Sequence, residues 1–162
     1  MIPVCTAAHV RALDQAVIDG AGLTSPVLME IAGRGVAETI HERFPAGDVA
    51  ILCGPGNNGG DGYVAARWLT HWGRNVRIWG APPKTEDAAI NRRLCERMDI
   101  PVLDPHNAVA GATVAVDALL GTGQRNAPRD EIATALSAIR SFPGNTTRMV
   151  IICGDAFSTR QA

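Results

Sequence analysis

The stretch DVAILCGPGNNGGDGYVAARWL, residues 48–69, decides the fold. Its first part, VAILC, is a short apolar run without alternation, as expected of a strand buried on both faces. Its last part, from Tyr63 onward, reads as a helix over residues 63–73. Between them lies a loop of Gly and Asn that carries one carboxylate, Asp61. A strand, a glycine-rich connection and a helix in that order form the opening of a parallel α/β unit.

The pattern extends in both directions. Upstream, Thr6 is placed to cap a helix over residues 7–22, with Val10, Leu13, Val17 and Ile18 near one face. Ser25-Pro26 opens a second helix that stops at Pro45, Pro being well suited to a first helical position. Gly33 and Gly35 weaken that helix; they either permit close backbone packing or are simply tolerated. Downstream, NVRIWG (75–80), IPVL (100–103), the start of TVAVDALLGTG (113–123) and RMVIIC (148–153) read as strands. Helices are expected over 86–99, capped by Thr85, and over 130–141. Strand and helix in alternation predict one α/β domain over 1–162, a three-layer α/β/α sandwich with a mainly parallel sheet and two leading helices.

Composition narrows the function classes. The formal net charge is −1 and no basic stripe is present, so nucleic-acid binding through a charged surface is not expected. No window approaches the roughly 18 apolar residues of a membrane span, and the N-terminus lacks the features of a signal peptide; a cytoplasmic protein without membrane attachment is expected. Cys5, Cys53, Cys95 and Cys153 form no CxxC pair and read as small buried thiols. His9, His41, His71 and His106 are scattered, as surface or helix-face residues are. Trp68, Trp72 and Trp79 read as core or rim.

In an open parallel sheet, ligands bind beyond the carboxyl ends of the strands. Three such ends carry an acid: Asp61, Asp117 and Asp155. Gly54, Gly56 and Gly59 satisfy GxGxxG, yet the acid expected about 20 residues on is missing, since the next strand ends in Trp79-Gly80. A standard NAD-dehydrogenase site is therefore disfavoured. No Gly-Lys-Ser/Thr follows the glycines either, which excludes a Walker A loop. The segment still lets backbone approach a ligand, presents amides at a helix start to an anion such as phosphate, and offers Asn57 and Asn58 as amide donors and acceptors. An amide oxygen beside a carboxylate suits a hard cation. The bland reading is a tight strand-to-helix connection built from ordinary turn residues.

GPGNNGGDGYVAARWL together with VDALLGTGQRNAP resembles the NAD(P)HX epimerase family, the YjeF N-terminal domain. LMEIAGRGVAE (28–38) is similar to that family's second helix. The resemblance implies a Rossmann-like three-layer fold. It also implies an enzyme that interconverts the R and S epimers of hydrated NADH and NADPH, NADHX and NADPHX, damage products that a partner dehydratase consumes as one epimer. Asn57, Asn58, Gly59, Gly60 and Asp61 would then contact substrate, with Asp61 holding either the loop or the substrate. Gly121, Thr122, Gly123, Gln124, Arg125, Asn126 and Ala127 would wrap its phosphates. A potassium ion would be held by Asn58, Asp117 and Ser158, and Asp155 would be both substrate-binding and catalytic.

The C-terminal text, VIICGDAFSTRQA (150–162), keeps the Asp155-x-x-Ser158 spacing of the family's DIPSGL-like motif but has Ala156-Phe157 in place of Ile-Pro. Relative to the family the domain is expected to be short at this end, with the dehydratase on a separate chain and a homodimer as one way to cover exposed surface. The competing reading is a non-catalytic nucleotide-binding or partner-binding module of the same fold, because a fold by itself does not specify catalysis.

Overall fold

A computed structural model of the protein describes residues 7–121, 127–128, 130–142 and 147–150. Two helices lead, α1 (Ala7–Ala21) and α2 (Ser25–Arg43). Then follow β1 (Val49–Cys53), α3 (Asn57–His71), β2 (Val76–Gly80), α4 (Glu86–Arg97), α5 (Pro105–Val109), β3 (Val114–Ala118), α6 (Asp130–Arg140) and β4 (Thr147–Val150). The sheet order is β2-β1-β3-β4 and every pairing is parallel. The expected strand over 100–103 is reduced to one parallel bridge, Val102 to Ile78 at the β2 edge.

This topology has two directions of winding. From β1 the chain moves outward through α3, β2 and α4 to that bridge, then returns through α5 to β3 and proceeds through α6 to β4. Parallel crossovers are right-handed, so reversing direction changes the face on which helices lie. The core records that change residue by residue. Val49, Ile51 and Cys53 of β1 pack with Ile40, Tyr63, Leu69 and Cys95, from α2, α3 and α4. Ala50 and Leu52 pack with Val109, Ala135 and Ile139, from α5 and α6. β1 is thus apolar at every position because both its faces are covered.

Two sequence expectations change. The helix after β1 begins at Asn57 rather than Tyr63, so most of the Gly-Asn segment is helix. Helix α5 was not expected; Asp104 caps it, its carboxylate accepting from Asn107 N–H at 3.1 Å, and Pro105 starts it. The proposed cap Thr6 lies outside the described residues. The two helix glycines of α2 divide: a Cβ at Gly33 would lie 2.6 Å from the Asp61 carbonyl oxygen, whereas one at Gly35 would meet nothing within 4 Å. Gly33 is a packing site, and Gly35 is tolerated.

The helices of the first face are also tied by polar groups. Arg67 pairs with Glu30 and donates to Asn91 Oδ1 at 2.9 Å, while Trp68 Nε1 donates to Glu30 at 2.7 Å. Arg34 stacks on the Trp68 ring, 4.6 Å from its centre. Trp68 and Trp72 lie at the edge of the core and Trp79 is buried, as the sequence reading expects. Cys53 and Cys95 are buried free thiols; Cys5 and Cys153 lie outside the described residues. Among the described residues no helix is long and apolar enough to cross a membrane.

Candidate functional site

The reversal of winding separates the carboxyl ends of β1 and β3, which are neighbours in the sheet. Such a switch point is where open α/β sheets take ligands. Here it is built by contacts that only small residues permit. Gly54 N–H donates to the Ala118 carbonyl at 2.9 Å, extending the β1–β3 ladder by one residue. A Cβ on Gly54 would collide with the Leu119 carbonyl, and one on Gly59 with the Gly54 carbonyl. A Cβ on Gly62 would lie 2.8 Å from Ala118 Cβ and 2.9 Å from Cys53 Sγ. The glycines therefore seat the first turns of α3 directly on the exits of β1 and β3.

That seating joins the two long motifs. Asn58, 4% exposed, donates from Nδ2 to the Leu120 carbonyl at 3.2 Å. Gly121 adjoins it: a Cβ there would come within 3.4 Å of Asn58 Cβ. Asp117, the next-to-last residue of β3, accepts from Leu119 N–H at 3.0 Å through Oδ1. Burial pushes the Asp117 carboxyl above the usual carboxylate range, and the Leu119 hydrogen bond opposes this in part. A neighbouring cation would relieve the same desolvation. Asn58 and Asp117 are hard oxygen donors, so the residues present fit a hard cation such as potassium. Among the described residues no three His, Cys, Asp or Glu side chains converge as a metal site.

Asp61 is not in a loop. It occupies the second turn of α3, is 2% exposed, and its backbone carbonyl faces Gly33 of α2. Gly60, its neighbour, packs against the Met29 thioether, with Cε 2.5 Å from the place of a Cβ. Met29 Sδ in turn accepts from Asn91 Nδ2 at 3.3 Å. Met29 and Gly33, one helical turn apart, are thus the support behind the Asn-Gly segment, and sequence reasoning did not assign them this role. Their i, i+4 spacing was the available signal. The Leu119 and Leu120 backbone groups carry no sequence signal at all.

The N-terminus of α3 opens at the same edge. Gly56 is its cap residue, without a side-chain cap, and the first intrahelical bond runs from Gly60 N–H to Gly56 at 3.1 Å. Amides ahead of that bond are free of intrahelical partners in any helix and favour an anion. The loop after β2 borders this turn: Ala81 N–H donates to Cys53 at 3.0 Å and Lys84 N–H to Pro55 at 2.7 Å. Ala127 is exposed. Thr122, Gly123, Gln124, Arg125, Asn126, Asp155 and Ser158 lie outside the described residues.

The chain is similar to known proteins. A yeast protein, ynu0 (YNL200c), has a crystal structure that superposes with a TM-score of 0.82 over 93% of this chain and 70% of its own, at 24% identity; that likeness shows the fold. The chain is 39% identical over 153 residues to the NAD(P)H-hydrate epimerase of Rhodopirellula baltica, covering 86% of this chain and 63% of that one. It is 32% identical over 150 residues to the NAD(P)H-hydrate epimerase of Schizosaccharomyces pombe, covering 85% and 61%. It is 44% identical over 119 residues to the bifunctional NAD(P)H-hydrate repair enzyme Nnr of Archaeoglobus fulgidus, covering 73% and 25%. The chain thus spans a quarter of that bifunctional relative and somewhat under two thirds of the two epimerases. The family model for the YjeF-related protein N-terminus matches residues 25–156, and with its two motifs joined at the switch point the chain belongs to that family.

Proposed function

We propose that the chain is an NAD(P)H-hydrate epimerase that interconverts the R and S epimers of hydrated NADH and NADPH. The observation that carries this reading is the junction of the two motifs, Asn58 on the Leu120 carbonyl beside Gly121. It is supported by the names of the Rhodopirellula and Schizosaccharomyces relatives. The product would pass to a dehydratase.

Epimerisation at a hydrated ring carbon requires the hydroxyl to leave and return. A carboxylic acid protonates the hydroxyl, which departs as water. The ring nitrogen shares its lone pair with the cationic carbon. Water then adds to the opposite face and returns a proton to the carboxylate. Proton transfer of this kind is general acid–base catalysis, and we assign it to Asp155. Amides at the start of α3 favour the substrate's phosphates. Asp61, buried in α3, is assigned to holding that helix rather than to touching the ring. Asn58, Asp117 and Ser158 would hold potassium, which supplies a fixed positive charge to organise the loops and no redox chemistry.

The test is direct. R-NADHX mixed with the purified chain in potassium buffer should convert to S faster than without protein, as followed by chromatographic separation of the epimers. A folded chain that gives no acceleration would remove the enzyme reading and leave a binding module.

A further inference from the structure

In an open sheet that takes a dinucleotide, the end of the second strand is where the ribose next to adenine is read. An acid there accepts from the 2′-hydroxyl, whereas a cation accommodates a 2′-phosphate. In this chain β2 ends at Gly80 without an acid and continues as Ala81-Pro82-Pro83-Lys84. Lys84 is the only lysine among the 162 residues. Its position is fixed through the backbone: Lys84 N–H donates to Pro55, in the turn that leads into α3, and Ala81 N–H to Cys53, the last residue of β1. Two prolines between them restrict the loop's dihedrals. From α4, Arg92 reaches the carbonyls of Gly80 and Ala81 at 3.5 and 3.4 Å.

Lys84 is the only charged residue of the loop at 81–85. Among the described residues Lys84 takes part in no ion pair, and its residue is exposed. Arg92 shares its charge with Glu96 at 3.2 Å. Asp87 accepts from the Ser25 hydroxyl, and Glu86 sits in the first turn of α4, where the helix dipole favours an acid. We propose that Lys84, on the loop held against the Gly54–Gly56 turn, recognises a phosphomonoester at the ribose 2′ position and makes the phosphorylated hydrate, NADPHX, the preferred substrate. This deepens the epimerase reading and rests on it for the identity of the substrate.

The test compares kcat/KM for NADPHX and NADHX in the wild type, Lys84→Ala and Lys84→Glu. At about 0.05 M salt the wild type is expected to favour NADPHX about 1.5- to fivefold, the range of one solvent-exposed ion pair. The preference should shrink at about 0.3 M salt. Lys84→Ala should collapse the ratio through KM, and Lys84→Glu should invert it. Equal kcat/KM in the wild type, or a preference that survives Lys84→Ala, overturns the proposal. A second readout separates it from the epimerase reading: calorimetric titration with 2′-phospho-ADP-ribose and ADP-ribose. A Lys84-dependent preference for the phosphorylated compound, in a chain that turns over neither hydrate, sustains the role of Lys84 and removes only the epimerase. The absence of such a preference overturns the role of Lys84 even if turnover is observed.

Discussion

Gly33 and Gly35 are two residues apart on one helix and have opposite consequences. A side chain at Gly33 would press into Val64 and the Asp61 carbonyl. Gly33→Ala is therefore expected to destabilise the fold by about 1–3 kcal/mol through overpacking. Gly35 has open space around it, so Gly35→Ala is expected to gain up to about 1 kcal/mol from helix propensity alone. Urea unfolding of the two variants checks the pair; equal effects would count against the close approach of α2 and α3. From the sequence both glycines look alike, because what distinguishes them is a neighbour on another helix. The same holds within GPGNNGGDG. Its richness in small residues was legible, and its placement in a loop ahead of the helix was not right, since α3 begins at Asn57. Gly59 and Gly62 are small because a helix rests on the strands beneath them.

At the level of elements, β1 and β3 were legible since β1 is an uninterrupted apolar run and β3 is broken only by Asp117. The start of α3 was not. Three glycines among its first six residues carry a low helix propensity, and only contact with β1, β3 and α2 overrides it. Helix α5 had a visible signal, Asp104 followed by Pro105, in too short a segment to declare a helix. The connection between α2 and β1 depends on a residue from elsewhere: Arg74, 9% exposed, donates to the carbonyls of Phe44, Ala46 and Gly47. Arg74→Ala would leave these carbonyls short of a donor and is expected to cost about 2–3 kcal/mol, the scale of charged hydrogen bonds. Denaturant titration would show this as a shifted midpoint; an unchanged midpoint would mean that water replaces the guanidinium without loss.

The whole molecule responds to solvent through groups that its core encloses. Burial pushes the Cys95 thiol up to about 12 and raises that of Cys53 as well, whereas a thiol in the unfolded chain titrates near about 8.5. The folded state thus keeps these protons while the unfolded state loses them. Stability is full below about pH 8.5 and falls as pH rises toward about 12, by about 1.4 kcal/mol per pH unit for each thiol. Urea midpoints measured from pH 8 to 10.5 should fall accordingly, with a shallower slope in Cys95→Ala; an unchanged slope would exclude the thiol as the source. Under alkylation at pH 8, Cys53 and Cys95 should react only as fast as the protein unfolds, which peptide mass spectrometry can follow. Potassium should act in the opposite sense. An ion bound by Asn58 and Asp117 would stabilise the folded state alone, so replacing choline by potassium at equal ionic strength should raise Tm by about 3–6 °C for an ion at roughly tenfold its Kd. Asp117→Asn should abolish that rise, and an equal Tm in both salts would argue against the ion. That Asp117 stands near the end of a strand was legible in the sequence; that Asn58 and Leu120 touch required the folded sheet.

This contact has a bearing on how the protein is made. Asn58 and Leu120 are separated by 62 residues of chain, and β1 pairs with β3 only after α3, β2, α4 and α5 have been laid down. On a ribosome, which delivers the chain from its N-terminus, the β1–α3–β2 unit can collapse early. The inner edge of β1 stays open until β3 emerges, and an open edge is where strands of other chains pair. Nascent chains halted before residue 114 should therefore be the aggregation-prone ones, and emergence of β3 should both close that edge and create the binding crevice in one event.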